Sequence, residues 1–226
     1  LNALAMVDWD AAKPIIDRLK QSERYVGALR AQLRHKPAAA EARRELLAII
    51  RSPGEDLFHR IWAIEALLQS DDAEADDLFA WALEQPFWFD EGTSIVDPFD
   101  SFVRRHQEWR FRLRGLVTDS RPAVKHNARM ILAGIVRGKH PDERTVRALL
   151  PCLSDPDWLA ASGLRGNYLL EATGKVDVPQ AVPALLQILR TDEGGDALLA
   201  AHALESYNPP DFQDAWEEAR KRTKSS

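Results

Sequence analysis

The sequence predicts an all-α fold in which about five to six antiparallel helix pairs stack as an α-solenoid, a single domain over residues 1–226. Apolar residues recur with the helical period along the chain, and no stretch alternates as a half-buried strand does. Proline and glycine fall almost entirely between the periodic segments. Asp119, Asp155 and Asp192 mark successive turns and are 36 and 37 residues apart, close to the ~40 residues of stacked helix-pair repeats.

Four segments share one layout: an apolar helix, a short acidic turn and an alanine-rich second helix. The helices of these pairs are predicted over residues 45–50 and 57–68, 111–117 and 123–136, 146–153 and 158–172, and 182–189 and 196–207. We expect the aspartate before each second helix to cap it, because a carboxylate accepts hydrogen bonds from the free amides of the first turn.

The second helices carry small residues three positions apart, which let neighbouring helix backbones approach closely. These positions are Ala63 and Ala66, Ala200 and Ala203, and, as a near match, Ala128 and Ile131. The pattern therefore predicts that the second helices pack against their neighbours through these faces.

The two ends of the chain differ from the repeated layout. Residues 8–37 predict N-terminal capping helices over 9–19 and 23–33, as the end of a solenoid requires. Residues 217–226 form a polar tail, which we expect to fray.

An aromatic loop over residues 86–99 interrupts the repeat spacing. Trp88 lies in it between two phenylalanines, and three consecutive aromatic residues cannot all face one core from a helix. The loop either covers the core, the favoured interpretation, or exposes an anchor for a partner. The helix that begins at Asp100 is either short or continues unbroken to Val117.

Composition and charge exclude several classes of protein. The chain is 45% hydrophobic and 29% charged with a net charge of −5, typical of a folded protein without a bias toward nucleic acid or anionic membranes. Its one cysteine, Cys152, excludes an intramolecular disulfide and a multi-thiolate metal site. No apolar run approaches the ~20 residues that span a bilayer, and the first residues do not resemble a signal peptide. We expect a cytoplasmic protein that does not bind membranes.

The third pair carries the clearest family resemblance. Leu153-x-Asp155-Pro156-Asp157, leading into a helix with several alanines, resembles HEAT repeats, particularly the bacterial HEAT-like type also found in phycobilisome lyases. Asp100-x-x-Val103-Arg104 resembles the opening of a HEAT second helix. The resemblance covers residues 40–207. It implies a solenoid that acts as a scaffold, with no catalytic residues and no cofactor.

Charges are segregated along the chain. Residues 61–103 contain 11 acidic residues and no lysine or arginine, whereas residues 104–147 contain 12 lysines or arginines and 4 acidic residues. In one interpretation, neighbouring repeats neutralise one another across their interface. Alternatively, the basic half is one side of a polarised groove that attracts an acidic partner.

Arginines surround two aromatic residues at the start of the basic block. This pattern suits phosphate or single-stranded nucleic-acid recognition, but it is also typical of an amphipathic helix in which Phe111, Leu113 and Val117 face the core. The predicted partner-binding residues are Trp88, Arg104, Arg105, Trp109, Arg110, Arg112 and Arg114.

No motif indicates catalysis or metal binding. The histidines lack ligand spacing, and His106 and Glu108, two residues apart, are expected on different faces of a helix. Cys152 lies among apolar residues and is expected to be a buried structural thiol.

The sequence thus favours a non-catalytic protein-interaction scaffold. It would bind a protein partner on a concave surface formed by successive second helices. The partner would be acidic if it binds the basic half. The alternative is a nucleic-acid-binding protein resembling HEAT-like DNA glycosylases, which would use residues 104–147, with Trp109, Arg105 and Asp119 holding a base. A bilin lyase subunit is a third possibility, based on the repeat likeness alone. The oligomeric state stays open.

Overall fold

The computed structural model describes residues 9–19, 25–70, 75–85, 97–192 and 194–223. All regular secondary structure within these ranges is helical, which confirms the all-α class. Contacts divide the chain into two compact units, Leu1–Ala82 and Leu83–Ser226, and each is described by itself. A single solenoid domain over the whole chain stays a prediction.

The first unit contains the helices that precede the aromatic segment. They are α1 (Trp9–Leu19), α2 (Tyr25–Gln32), α3 (Lys36–Arg51), α4 (Leu57–Leu68) and α5 (Ala75–Leu83), the last of which ends one residue beyond the unit boundary. α2 contacts both α3 and α4. Leu29 of α2, Leu46 of α3 and Ile64 of α4 are fully buried, so the apolar stripes of these three helices form the core.

The second unit contains nine α-helices and one short 3₁₀ helix within the described part of the chain. They are α6 (Asp97–Arg105), α7 (Gln107–Leu116), α8 (Pro122–Ile135), α9 (Glu143–Leu153), α10 (Pro156–Ser162), α11 (Leu164–Thr173), η1 (Pro179–Ala181), α12 (Val182–Thr191), α13 (Gly195–Tyr207) and α14 (Phe212–Thr223). All four predicted helix pairs are present, as α3–α4, α7–α8, α9 with α10 and α11, and α12–α13.

Two of the four turn aspartates are N-cap residues as expected, and the other two instead lie two residues before the N-cap residues Arg121 and Gly194. Asp56 and Asp155 are N-cap residues, and their carboxylates accept the backbone amides of Phe58 at 2.8 Å and Trp158 at 3.1 Å. The carboxylates of Asp119 and Asp192 instead accept the amide two residues further on, at 2.8 and 2.7 Å. Both geometries satisfy amide groups that the helix itself leaves unpaired.

The structure decides one helix boundary that the sequence left open and changes two that the sequence predicted. The helix at Asp100 is short, because His106, with φ −108° and ψ 85°, leaves the helical conformation and separates α6 from α7. Gly163, with a φ of 51°, divides the predicted helix over residues 158–172 into α10 and α11. Residues 217–223 of the predicted polar tail continue α14, because Ala219 is buried and Arg222 donates to the Leu189 carbonyl oxygen at 2.7 Å.

The helices of the second unit pack in two rows. One row has α6, α8, α11 and α13 in successive contact, and the other has α7, α9, α12 and α14. Ala200 and Ala203 of α13 are buried, and a Cβ added to Gly174, at the end of α11, would lie 2.9 Å from the Ala203 Cα atom. The backbones therefore touch where the alanine pattern predicts close packing.

A buried ion pair joins three helices of the first row. Arg165 of α11 lies 3.2 Å from both carboxylate oxygens of Asp100 on α6, and it donates to the Met130 carbonyl oxygen on α8 at 2.8 Å. Gly134 makes room for the pair, because a Cβ at this position would lie 1.7 Å from Arg165 Nη1 and 2.2 Å from Asp100 Oδ2. The position therefore requires glycine.

We expect Gly134→Ala to lower the free energy of unfolding by about 2–4 kcal/mol, because the methyl group displaces a buried ion pair. Gly115→Ala is the matched control, since nothing lies within 4 Å of a Cβ at Gly115 in α7; it should stabilise the protein by up to about 1 kcal/mol. Urea unfolding measures both. Equal stability of the two variants would contradict the role given to the pair.

Candidate functional site

The predicted basic segment includes α7, whose two aromatic residues have opposite environments. Trp109 is 4% exposed, whereas Phe111 is 74% exposed. The expectation that Phe111 faces the core is therefore wrong, while Leu113 and Val117 are buried as expected. The reason is geometric: residues two apart on an α-helix point about 200° apart, so α7 can bury only one of the two rings.

Arginines flank both rings of α7. The Arg112 guanidinium lies 4.9 Å from the centre of the buried Trp109 ring, and that of Arg114 lies 5.9 Å from the exposed Phe111 ring. Arg114 also forms an ion pair with Asp142 at 3.3 Å. We call Phe111 with Arg110, Arg112 and Arg114 the α7 face.

The remaining predicted site residues lie elsewhere. Arg104 and Arg105 belong to α6, where both are exposed, and Arg104 donates to the Gly134 carbonyl oxygen at 3.3 Å. Trp88 and most of the predicted aromatic loop lie outside the described residues, but Phe99 is buried in α6. The structure thus places the α7 residues together and puts Arg104 and Arg105 on the preceding helix.

Much of the basic charge of residues 104–147 is paired within the second unit. Arg121 forms ion pairs with Asp119 at 3.0 Å and with Glu84 at 2.8 Å, and its hydrogen bonds lower the pKa of the Asp119 carboxyl. The buried Arg129 pairs with Asp155 at 2.8 Å. The charges of these arginines are therefore matched by carboxylates of the same unit.

His106 and Glu108 contact each other, contrary to the prediction that they point to different faces. His106 lies at the N-cap of α7 instead of inside a helix, which brings its Nδ1 atom to 3.3 Å from Glu108 Oε1. The His106 ring also stacks on Phe102, with ring centres 4.2 Å apart. The contact therefore belongs to the junction between α6 and α7.

Cys152 is fully buried in α9, as expected for a structural thiol. Burial raises its pKa to about 12, so the reactive thiolate is scarce at neutral pH.

We expect iodoacetamide at pH 8 to leave the folded protein unmodified and to alkylate Cys152 after unfolding in guanidinium chloride, as measured by mass spectrometry. Rapid alkylation of the folded protein would show that the thiol is accessible.

A second candidate site, which the sequence did not reveal, is an open groove in the first unit between α2 and α4. It has a volume of about 820 Å³, within the range of ligand-binding clefts. We call it the α2–α4 groove; its lining residues are Val26, Gly27 and Arg30 of α2, Asp56 at the N-cap of α4, and His59, Trp62 and Glu65 of α4.

Exposed aromatic rings dominate the α4 side of this groove. Trp62 is 50% exposed and Phe58 is 43% exposed. The centre of the Trp62 ring lies 5.9 Å from that of His59 and 6.4 Å from that of Phe58. The core face of α4 is occupied by Ile61 and Ile64, both buried. Trp62 and Phe58, four residues apart, therefore form a second face that the core does not use.

His59 is held by a carboxylate. Its Nδ1 atom lies 2.8 Å from Glu55 Oε1, and its ring packs at 78° against the Tyr25 ring. The hydrogen bond to His59 is the largest cause of the lowered pKa of Glu55, while burial and the neighbouring Glu55 raise the pKa of Tyr25 to about 12. Because an ionised carboxylate only accepts hydrogen bonds, His59 Nδ1 is the donor in this bond.

A polar cluster marks the other end of the groove. Arg30 lies 3.4 Å from Glu65 and also donates to the side chain of Gln69, which in turn donates to Glu65 Oε1 at 2.9 Å. The Arg30 guanidinium on α2 is thus bonded to Glu65 of α4 and to Gln69, the residue that follows α4.

Comparison with known proteins identifies no relative: no family model, no curated protein and no solved structure matches this chain. The HEAT resemblance therefore stays a prediction. No helix in the described ranges is long and apolar enough to cross a membrane.

Proposed function

We propose that this protein is a non-catalytic interaction module, a solenoid of HEAT-like helix pairs, that binds an acidic segment of a partner protein through the α7 face. The observation that carries the proposal is Phe111, which is 74% exposed in the middle of a helix. Leu113 already fills the core below it, so folding does not require a phenyl group there. Phenyl rings that become buried on binding are typical interface anchors.

The arginines around Phe111 determine the partner chemistry. Arg112 is exposed, and Arg110 and Arg114 are half-buried. Arginine forms charge-assisted, bidentate hydrogen bonds with carboxylates. An acidic segment with one apolar side chain next to Phe111 would satisfy both components of the α7 face.

Nucleic-acid binding, the alternative, receives less support. Trp109 is too buried to stack on a base, and Asp119, a proposed base-holding residue, is bonded to Arg121. Because Arg121 and Arg129 already have carboxylate partners, fewer cations remain for a phosphate backbone.

Phe111→Ala should raise the dissociation rate of the partner about tenfold or more, because it removes the anchor. Leu164→Ala is the matched control, since Leu164 is 67% exposed on another helix of the same unit. The partner is first identified by cross-linking to the full chain, and then purified and measured by biolayer interferometry. An equal effect of both substitutions would overturn the assignment of the α7 face.

Arg112→Glu should slow association at low salt several-fold, because exposed charges steer encounter. The melting temperature should change little, since the guanidinium adds only a cation–π contact with Trp109. Arg144→Glu, at another exposed arginine of the second unit, should leave the association rate nearly unchanged. If wild type instead binds single-stranded DNA with an affinity that falls steeply between 50 and 200 mM salt, the nucleic-acid alternative replaces the proposal.

A further inference from the structure

The α2–α4 groove differs in charge from the α7 face. Three carboxylates border it, those of Glu55, Asp56 and Glu65, and the one cation in its lining, Arg30, is already bonded to Glu65 and Gln69. Even when His59 is counted as a cation beside Arg30, the three carboxylates outnumber the positive groups at this site. A positively charged ligand is therefore favoured over an anion.

The aromatic rings determine which cation fits. A lysine ammonium or an arginine guanidinium gains from contact with the face of an indole, and Trp is the best of the aromatic side chains for this interaction. Trp62 is half exposed beside His59. The Glu55 carboxylate beside His59 offers a cationic donor a negatively charged acceptor.

The shape of the groove favours a length of chain over a small ion. It is open along α2 and α4, and Gly27 contributes no side chain to it, with nothing within 4 Å of a Cβ built at that position. An extended backbone can therefore lie over Gly27.

We propose that the α2–α4 groove binds a basic segment of a partner protein, with one lysine or arginine side chain over the face of Trp62 and near the Glu55–His59 pair. This site is independent of the α7 face, which lies in the other unit and selects the opposite charge. The protein then has two interaction surfaces of opposite preference.

The probe is a fluorescein-labelled nine-residue peptide of alternating lysine and alanine, compared with its glutamate–alanine counterpart by fluorescence anisotropy on the full chain. The lysine peptide should bind and the glutamate peptide should not. Trp62→Ala should weaken binding of the lysine peptide about fivefold or more, and Trp62→Phe less, because phenylalanine keeps a weaker aromatic face. Phe111→Ala is the matched control and should bind the lysine peptide like wild type.

Gly27→Phe provides a second, independent variant. The position is exposed and open, so the phenyl group should fill the groove and abolish binding while circular dichroism shows an unchanged helix content. This variant decides the matter if Trp62→Ala does not fold.

Three results would overturn the proposal. The first is that the lysine peptide shows no binding in the groove, either because it does not bind at all or because it binds equally well after both Trp62→Ala and Gly27→Phe. The glutamate peptide binds as tightly as the lysine peptide, which would indicate aromatic adhesion without charge selection. Sedimentation shows a dimer of wild type that Trp62→Ala abolishes, in which case a second copy of the chain occupies the groove.

Discussion

The ion pair between Asp100 and Arg165 is the constraint on which the arrangement of the second unit depends. A buried charge without a partner is very costly, so the two side chains must meet, and Gly134 on α8 leaves the space that they occupy. This requirement holds α6 in one row with α8 and α11. The chain leaves that row at His106 and begins a new helix, and the register of α7 then buries Trp109 and exposes Phe111.

In the first unit, polar residues at the start of α4 combine a structural and a ligand-directed role. Asp56 caps the helix, and the preceding Glu55 binds the Nδ1 atom of His59 one turn later. The same turn that begins the helix thereby orients an imidazole toward the α2–α4 groove. Local hydrogen bonds of this kind leave the side chains little freedom, and a preorganised surface loses less conformational entropy when it binds a ligand.

The helix pairs could be predicted from the sequence because apolar periodicity, capping aspartates and turn residues are local signals. The exposure of Phe111 could not, since it depends on a single non-helical residue, His106, whose conformation follows from the contacts of α6 with other helices. Trp62 was missed for a related reason: a tryptophan among Ile61, Ile64 and Leu68 fits an apolar stripe as well as an exposed face. Only the packing of α2 against α4 distinguishes the two. Trp88, predicted as an anchor, lies outside the described residues.

The charge segregation along the chain does not translate directly into charged surfaces. In the basic block, Arg114, Arg121 and Arg129 pair with carboxylates of the same unit, so their charges mainly stabilise the fold and contribute little to a long-range field. The groove carboxylates Glu55 and Asp56 precede the acidic block altogether. Both candidate surfaces have a large aromatic ring that the core does not need. Charged groups lie beside this ring, on the helix that carries it or next to that helix. Because aromatic residues are enriched at protein interfaces whereas charged residues are depleted at their centres, the exposed aromatics point to the interfaces more directly than net charge does.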